Sequence, residues 1–180
     1  QGDRSLRAGE YSIPAGASMA QVYELLRSGQ TIQHSVTFAE GLTSAMIVAV
    51  LNDSDVLTGE IAEVPAEGTL LPETYHVTRG TSRQDLLDRM ARDQRELLDE
   101  LWPNRAPNLP IETREEAIIL ASVVEKETGV ASERPEVAAV FINRLRRGMR
   151  LESDPTIIYG ISQGEPLGRG LRRSEIDNTG

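Results

Sequence analysis

Glu125, Lys126 and Glu127 close an apolar run over residues 120–128 that reads LASVVEKET. A carboxylate that projects from an apolar surface is held toward its neutral form, and a neutral glutamic acid can hand a proton to a leaving group near neutral pH. The run lies in a longer stretch, 113–128, in which Thr113 and Glu116 have the S/T-x-x-E spacing of a capping box. Ala117, Ile118, Ile119, Leu120, Ala121, Val123 and Val124 make this helix apolar nearly all round, which predicts a buried helix. Glu127 falls one turn from Val123 and Val124 and two turns from Leu120, so it projects from an apolar face. Glu125 lies about 200° further round, so the two carboxylates cannot face one site together. The plainer alternative is a helix end where charges return to solvent, with Glu125 and Lys126 as a solvated pair.

Bulk properties narrow the classes open to such a carboxylate. The 180 residues suffice for one domain or two small ones, and 39% apolar content is ample for a core. The net charge of −9, without a basic cluster, argues against nucleic acid or anionic lipid as a partner. There are no cysteines, so neither a disulfide nor a thiolate metal site is available. The only histidines, His34 and His76, are far apart and have no metal-ligand spacing. No run approaches the ~20 apolar residues of a membrane span, and no signal peptide is present. The chain opens on Gln1, which reads as an excised fragment of a longer protein.

The elements that would position the helix are legible in chain order. Residues 1–10 are polar and expected to fray at the start; residues 10–13 can form a short strand before a turn at Pro14-Ala15-Gly16. Ser18 and Gln21 make a second capping box for an amphipathic helix carrying Met19, Val22, Leu25 and Leu26, which Gly29 ends. Residues 34–38 alternate like a strand with Val36 and Phe38 on one face. Thr43 leads into a helix with Met46, Ile47, Val50 and Leu51 on its buried side. The Gly16/Ser18 and Gly41/Thr43 pairs make a weak repeat and suggest a small α/β unit ending near residue 60. Residues 59–65 can add a strand. Pro72 bars a helix through 67–76, which reads as a structured loop running into a strand at 75–78. That loop, with Glu73 and Tyr75, is either a connector or the lining of a cleft.

Ser82 caps a long helix striped by Leu86, Leu87, Met90, Leu97, Leu98 and Leu101, which Trp102-Pro103 ends. Residues 103–112 form a proline-rich linker into the Glu127 helix. Beyond Gly129, Ser132 is placed to cap a helix with Pro135 in its first turn and Val137, Val140, Phe141 and Leu145 as its core stripe. Arg144 falls on that stripe and needs a partner, for which Asp154 is favoured over Glu133, Glu136 and Glu152 because Gly148 can fold the chain back. Residues 149–152 read as extended, Ser153-Asp154-Pro155 as the start of a short helix through Tyr159 and Gly160, and the last twenty residues as lacking a clear element.

Taken together, LASVVEKET (120–128), ASERPEVAAVFINRLRRGMRLESDPTIIYG (131–160) and EGTLLPETY (67–75) are similar to the endolytic murein transglycosylases, the MltG or YceG-like family. GEYSIPAGASMAQVYELLRSG (9–29) and VTFAEGLT (36–43) look like that family's LysM-like subdomain. The family usually continues past SEID (174–177) into an NTY and GLPP segment, whereas this chain stops at Asn178-Thr179-Gly180. The resemblance implies an α+β fold, with a LysM-like subdomain over 1–60 and a mostly helical catalytic domain over 61–180. It implies a single-pass protein of the bacterial inner membrane working on peptidoglycan in the periplasm, its anchor outside this fragment. Cell-wall synthesis proteins come with it as candidate partners.

The family's acid/base corresponds to the second glutamate of the EKE triplet, Glu127 here. The implied reaction is cleavage of the MurNAc–GlcNAc β-1,4 bond of glycan strands without water, forming 1,6-anhydroMurNAc ends and needing no metal or organic cofactor. Asn143, Asp154, Tyr159, Glu73 and Tyr75 are candidates for gripping sugar hydroxyls or N-acetyl groups. Each has a plainer alternative: Asn143 on a solvated helix face, Asp154 as a cap, Tyr159 as core, and Glu73 and Tyr75 in a connector. Two rival functions stand beside this one. One is a hydrolytic muramidase using Glu127 with a water; the other is a glycan-binding module without catalysis, for which stacking aromatics are few at 4% of the chain.

Overall fold

The computed structural model describes residue 6 and residues 8–164 and 167–177. The expected fraying of the first residues and the Asn178-Thr179-Gly180 terminus lie largely outside these. The fold is α+β, with seven helices among the described residues and two small two-stranded sheets.

The first half builds one core. Helix α1 (Met19–Ser28) starts at the Ser18/Gln21 capping box and ends on Gly29. The strand expected over 10–13 is absent; this segment is tied down by one backbone bond, Ile32 N–H to the Glu10 carbonyl at 2.7 Å. Strand β1 (His34–Thr37) is followed by α2 (Ser44–Asp53), β2 (Leu57–Thr58), β3 (Thr74–Val77), β4 (Thr81–Ser82) and α3 (Arg83–Leu101). β1 pairs antiparallel with β3, placing Val36 opposite Tyr75, and β2 pairs parallel with β4, Leu57 opposite Thr81. The strand expected over 59–65 is instead this shorter β2 just before it. The weak repeat survives at its caps: Ser18 accepts the Gln21 N–H and Thr43 the Met46 N–H.

Val36, Phe38, Ile47, Val48, Leu51, Leu70, Tyr75, Val77, Leu86, Leu87 and Met90 are among the side chains that close this core. Val50, expected inside, is 37% exposed, and Val48 takes its place because α2 presents the adjacent face to the sheet. The stripe on α3 is buried only over its first turns; Leu97 and Leu101 are exposed because the helix outruns the core it packs on. β1, inside the unit expected to end near residue 60, finds its partner in β3, beyond that bound.

A one-turn 3-10 extension at Trp102–Asn104 and an irregular linker lead to α4 (Arg114–Glu127). After a turn at Ala131–Glu133 come α5 (Arg134–Arg146), α6 (Asp154–Ser162) and α7 (Arg173–Asp177). The five-residue α7, where no element was expected, is held by Glu175, which accepts from Arg169 and from the Arg172 N–H. α4 packs on α5 through a second, smaller core of Val123, Val124 and Phe141 with Leu120, Val137, Ala138 and Leu151 around it, and α6 also lies against α4. No helix of the described residues is long and apolar enough to cross a membrane.

The two cores meet where loops of the first come close to helices of the second. A Cβ at Gly68 would lie 2.7 Å from Ile118 of α4, and one at Gly41 would lie 3.0 Å from the Lys126 ammonium. A Cβ at Gly164, just past α6, would lie 2.1 Å from Thr43, the cap of α2.

Candidate active site

Glu127 is the last residue of α4, and the chain leaves the helix there because Thr128 turns to extended backbone. Thr128 is buried; its hydroxyl donates to Glu133 at 2.7 Å and accepts the Val130 N–H at 3.0 Å, which fixes the exit turn. One turn back, Val123 and Val124 are in the second core, as expected, but the helix as a whole is not buried. Ile119 of this helix is 61% exposed. The apolar enclosure expected around Glu127 is likewise missing, since its side chain is exposed.

What meets Glu127 is a polar group. The Ser153 hydroxyl donates to Glu127 Oε1, and Ser153 itself is only 2% exposed. The other carboxylate oxygen accepts no hydrogen bond among the described residues, and Glu127 as a residue is exposed. The loop at Gly41 lies against Lys126, the residue beside Glu127, and Gly164 lies near both Thr43 and the ring of Tyr159. The Glu127 carboxylate thus stands on an open surface near the junction of the two cores, not in a closed pocket. Two depressions, of about 330 Å³ on the Ile13–Leu25 side of α1 and about 470 Å³ between β1 and the end of α2, do not include Glu127 in their walls.

Glu125 points elsewhere, as the helix geometry requires. Arg134 of α5 binds it through Nη2 at 2.8 and 3.1 Å, so its partner is Arg134 and not the neighbouring Lys126. Ser132 does not cap α5; it lies inside the 3-10 turn, and Glu133 occupies the cap position without a side-chain cap bond. On α5, Phe141 is buried but Val140 is 57% exposed, because the helix meets α4 along a narrow seam.

The remaining candidates divide by exposure. Asn143 is exposed on α5, Asp154 is exposed at the first position of α6, and Tyr159 is 41% exposed on α6. Asp154 there suits the positive end of the helix dipole. Glu73 is exposed, and its carboxylate accepts the Thr74 N–H at 2.8 Å. Tyr75 sits in the first core, edge-on to Phe38, with its hydroxyl donating to the Leu71 carbonyl at 3.0 Å. Burial pushes the Tyr75 phenol up to about 12. Its ring therefore supports the core and does not reach the surface that carries Glu127.

Arg144 has the partner its position demanded, but a different one. It binds Glu152, and its Nε donates to the Arg150 carbonyl at 2.7 Å. The reversal is a Schellman turn: Gly148 N–H bonds to the Leu145 carbonyl and Met149 N–H to the Arg144 carbonyl. That turn brings residues 150–152 back past Arg144 before the chain reaches Asp154. Glu152 takes a left-handed conformation, φ 51°, so residues 149–152 are bent and not extended as expected. The kink delivers Ser153 to Glu127. Sequence reasoning read Ser153 only as part of a helix start, and no local signal separates a serine that caps its own helix from one turned toward another.

The family model for the YceG-like family matches residues 1–179. The chain belongs to the YceG-like family. Among proteins to which it is similar is an endolytic murein transglycosylase of Streptococcus pneumoniae (serotype 2, strain D39), 29% identical over 182 residues. That alignment takes in 91% of this chain but 31% of the relative. An endolytic murein transglycosylase of Bacillus subtilis (strain 168) is 24% identical over 195 residues, 91% of this chain and 54% of the relative. The chain thus spans only part of the length of the curated relatives it matches. A crystal structure of a YceG-like protein from Listeria monocytogenes shares the fold, with a TM-score of 0.56, 22% identity, and coverage of 94% of this chain and 65% of that one.

Proposed function

We propose that this YceG-like chain carries the catalytic centre of an endolytic peptidoglycan lytic transglycosylase, cutting the MurNAc–GlcNAc β-1,4 bond and leaving 1,6-anhydroMurNAc ends. The observation that carries the reading is Glu127: a carboxylate exposed at the end of α4, with one oxygen engaged by a buried serine and the other without a partner among the described residues. The names of the pneumococcal and Bacillus relatives support it. Neutral Glu127 protonates the leaving GlcNAc oxygen as the C1–O bond breaks, and the MurNAc N-acetyl oxygen supports C1. The ionised carboxylate then takes the proton from the C6 hydroxyl, whose oxygen attacks C1 and closes the anhydro ring. The nucleophile is tethered to the sugar it attacks, so proximity supplies what a second carboxylate does in ordinary glycosidases. Asn143, Asp154 and Tyr159, all exposed on α5 and α6, are the residues we assign to gripping the glycan.

The finer organisation follows the same reading. We take residues 1–60 as a LysM-like, glycan-holding part and 61–180 as the catalytic part. Because β1 pairs with β3, the two share the first core, so glycan retention is tested on the whole chain with substitutions along α1. We further propose that the protein works at the bacterial inner membrane with these residues in the periplasm, beside cell-wall synthesis proteins, which fractionation and crosslinking would check.

Glu127→Gln keeps the size of the side chain but cannot give and reclaim a proton, and is expected to lower turnover by at least ~10²-fold with the fold retained. Activity within about threefold of the parent, less than general acid–base catalysis is worth, would remove Glu127 from the mechanism. A hydrolytic muramidase is the second reading, favoured by the exposure of Glu127, which lets water reach the carboxylate. Mass spectrometry of digested sacculi separates the two, because the hydrolytic product is heavier by one water and ends in reducing MurNAc.

A further inference from the structure

Serine at a helix N-cap ordinarily turns its side-chain oxygen to an N–H of the first turn and stabilises its own helix. Ser18, Thr43, Ser82 and Thr113 all do so here. Ser153 occupies the same position before α6 and makes no such bond. Its hydroxyl is turned out of the cap and donates to Glu127, on a helix 26 residues earlier in the chain. Ser153 is 2% exposed, so a bound glycan could reach the carboxylate but not this serine. It is held from behind: its carbonyl accepts both the Thr156 N–H at 3.0 Å and the Thr156 hydroxyl at 2.7 Å.

We infer that Ser153 is a positioning residue for the acid/base. By donating to Oε1 it fixes the plane of the Glu127 carboxyl group and confines the exchanging proton to Oε2, the oxygen with no partner among the described residues. The inference rests on the reading of Glu127 as acid/base given above. A glutamate at an exposed helix end, with free rotation about its side-chain bonds, would spread its acidic oxygen over several orientations. A misplacement of about 1 Å at a reacting group can cost on the order of 10²-fold in rate. The cap bond of α6 is what the fold gives up for this. Pro155 in the first turn has no N–H to satisfy, which lowers the cost of leaving the cap unmade.

The test compares kcat and KM of Ser153→Ala, Ser153→Thr, Glu127→Gln and the double variant on purified glycan strands, with a longer chain if this one does not turn over. Ser153→Ala is expected to lower kcat by roughly 10–100-fold with KM within about twofold, as for a group that acts only on the transition state. Ser153→Thr, which keeps the hydroxyl, is expected to restore most of the rate. In the Glu127→Gln background Ser153→Ala is expected to add no further loss, since the two act as a unit. Should the alanine variant fail to fold, Ser153→Val against Ser153→Thr gives the same comparison at matched size. The inference is overturned if kcat stays within about threefold of the parent, if KM alone rises, or if the two losses multiply. Loss of activity in Glu127→Gln with none in Ser153→Ala would sink the role of Ser153 and leave the function standing. Activity retained in Glu127→Gln would sink both.

Discussion

Arg83 holds the first core together in a way that can be measured. The last turn of α2 has no basic residue and ends on an extended Ser54, so its carbonyls need partners from elsewhere. The guanidinium of Arg83, at the start of α3, supplies them: Nε donates to Leu51 O at 2.8 Å, and Nη2 to Ser54 O at 2.9 Å and Asn52 O at 3.2 Å. Nη1 donates to Gly59 O at 2.9 Å. Hydrogen bonds from a charged donor contribute about 1.5–3 kcal/mol each when shielded and much less when water competes. Only the Leu51 and Ser54 bonds are partly buried, so about 3 kcal/mol is the expected total. Arg83→Met keeps the aliphatic stem and removes the four bonds. With a urea m-value of about 2–3 kcal/mol/M, the unfolding midpoint should fall by about 1–1.5 M at unchanged m. Arg83→Lys should recover little, because one ammonium cannot span four carbonyls held in a fork. A midpoint shift under about 0.3 M for Arg83→Met, or full recovery by lysine, would refute this account of how α2 is joined to α3.

Gly164→Ala should cost roughly 2 kcal/mol or more, combining a left-handed backbone at φ 93° with a Cβ 2.1 Å from Thr43. Gly80→Ala, at φ 89° but facing open space, should show only the backbone part, about 1 kcal/mol; equal losses in calorimetry would mean the two cores do not meet at Thr43. Arg144→Met should cost only about 1 kcal/mol, since its partner Glu152 is 67% exposed; a loss above about 3 kcal/mol would show the pair to be shielded. Tyr75 binds its proton more tightly folded, near 12, than unfolded, near 10. Its contribution to stability is therefore complete below pH 10 and is lost as pH rises from 10 toward 12. Alkaline difference absorbance should show a late phenolate that Tyr75→Phe removes; a folded-state titration curve unchanged by Tyr75→Phe above pH 10 would contradict it.

The helix caps were plain in the sequence because a cap is a local contract: Ser18, Thr43, Ser82 and Thr113 each bond within three residues of themselves. The opposed directions of Glu125 and Glu127 were plain for the same reason, as a matter of helix rotation. Exposure was not. Apolar residues at Ile119, Leu101 and Val140 match a helical stripe, but whether a stripe is covered depends on where neighbouring helices stop. The partner of Arg144 was narrowed to four acids, and the kink at Glu152 decided among them. Ser153 and Arg83 were out of reach because each bonds to a partner on another element, far away in sequence.

The pairing of β1 with β3 across the length of α2 also sets an order of events in time. A chain lengthening from its N-terminus exposes Val36, Phe38, Ile47 and Leu51 well before Tyr75 and Val77 exist to cover them, and before Leu86 and Met90 can close the layer. At synthesis rates of about 5–20 residues per second, that interval lasts roughly 3–10 s. For that time the nascent segment is an unpaired strand edge beside an apolar helix, the kind of surface that makes chains aggregation-prone and that chaperones cover. A ribosome stalled with residue 60 exposed would present protease-sensitive chain, whereas one stalled with α3 fully out would present a resistant core.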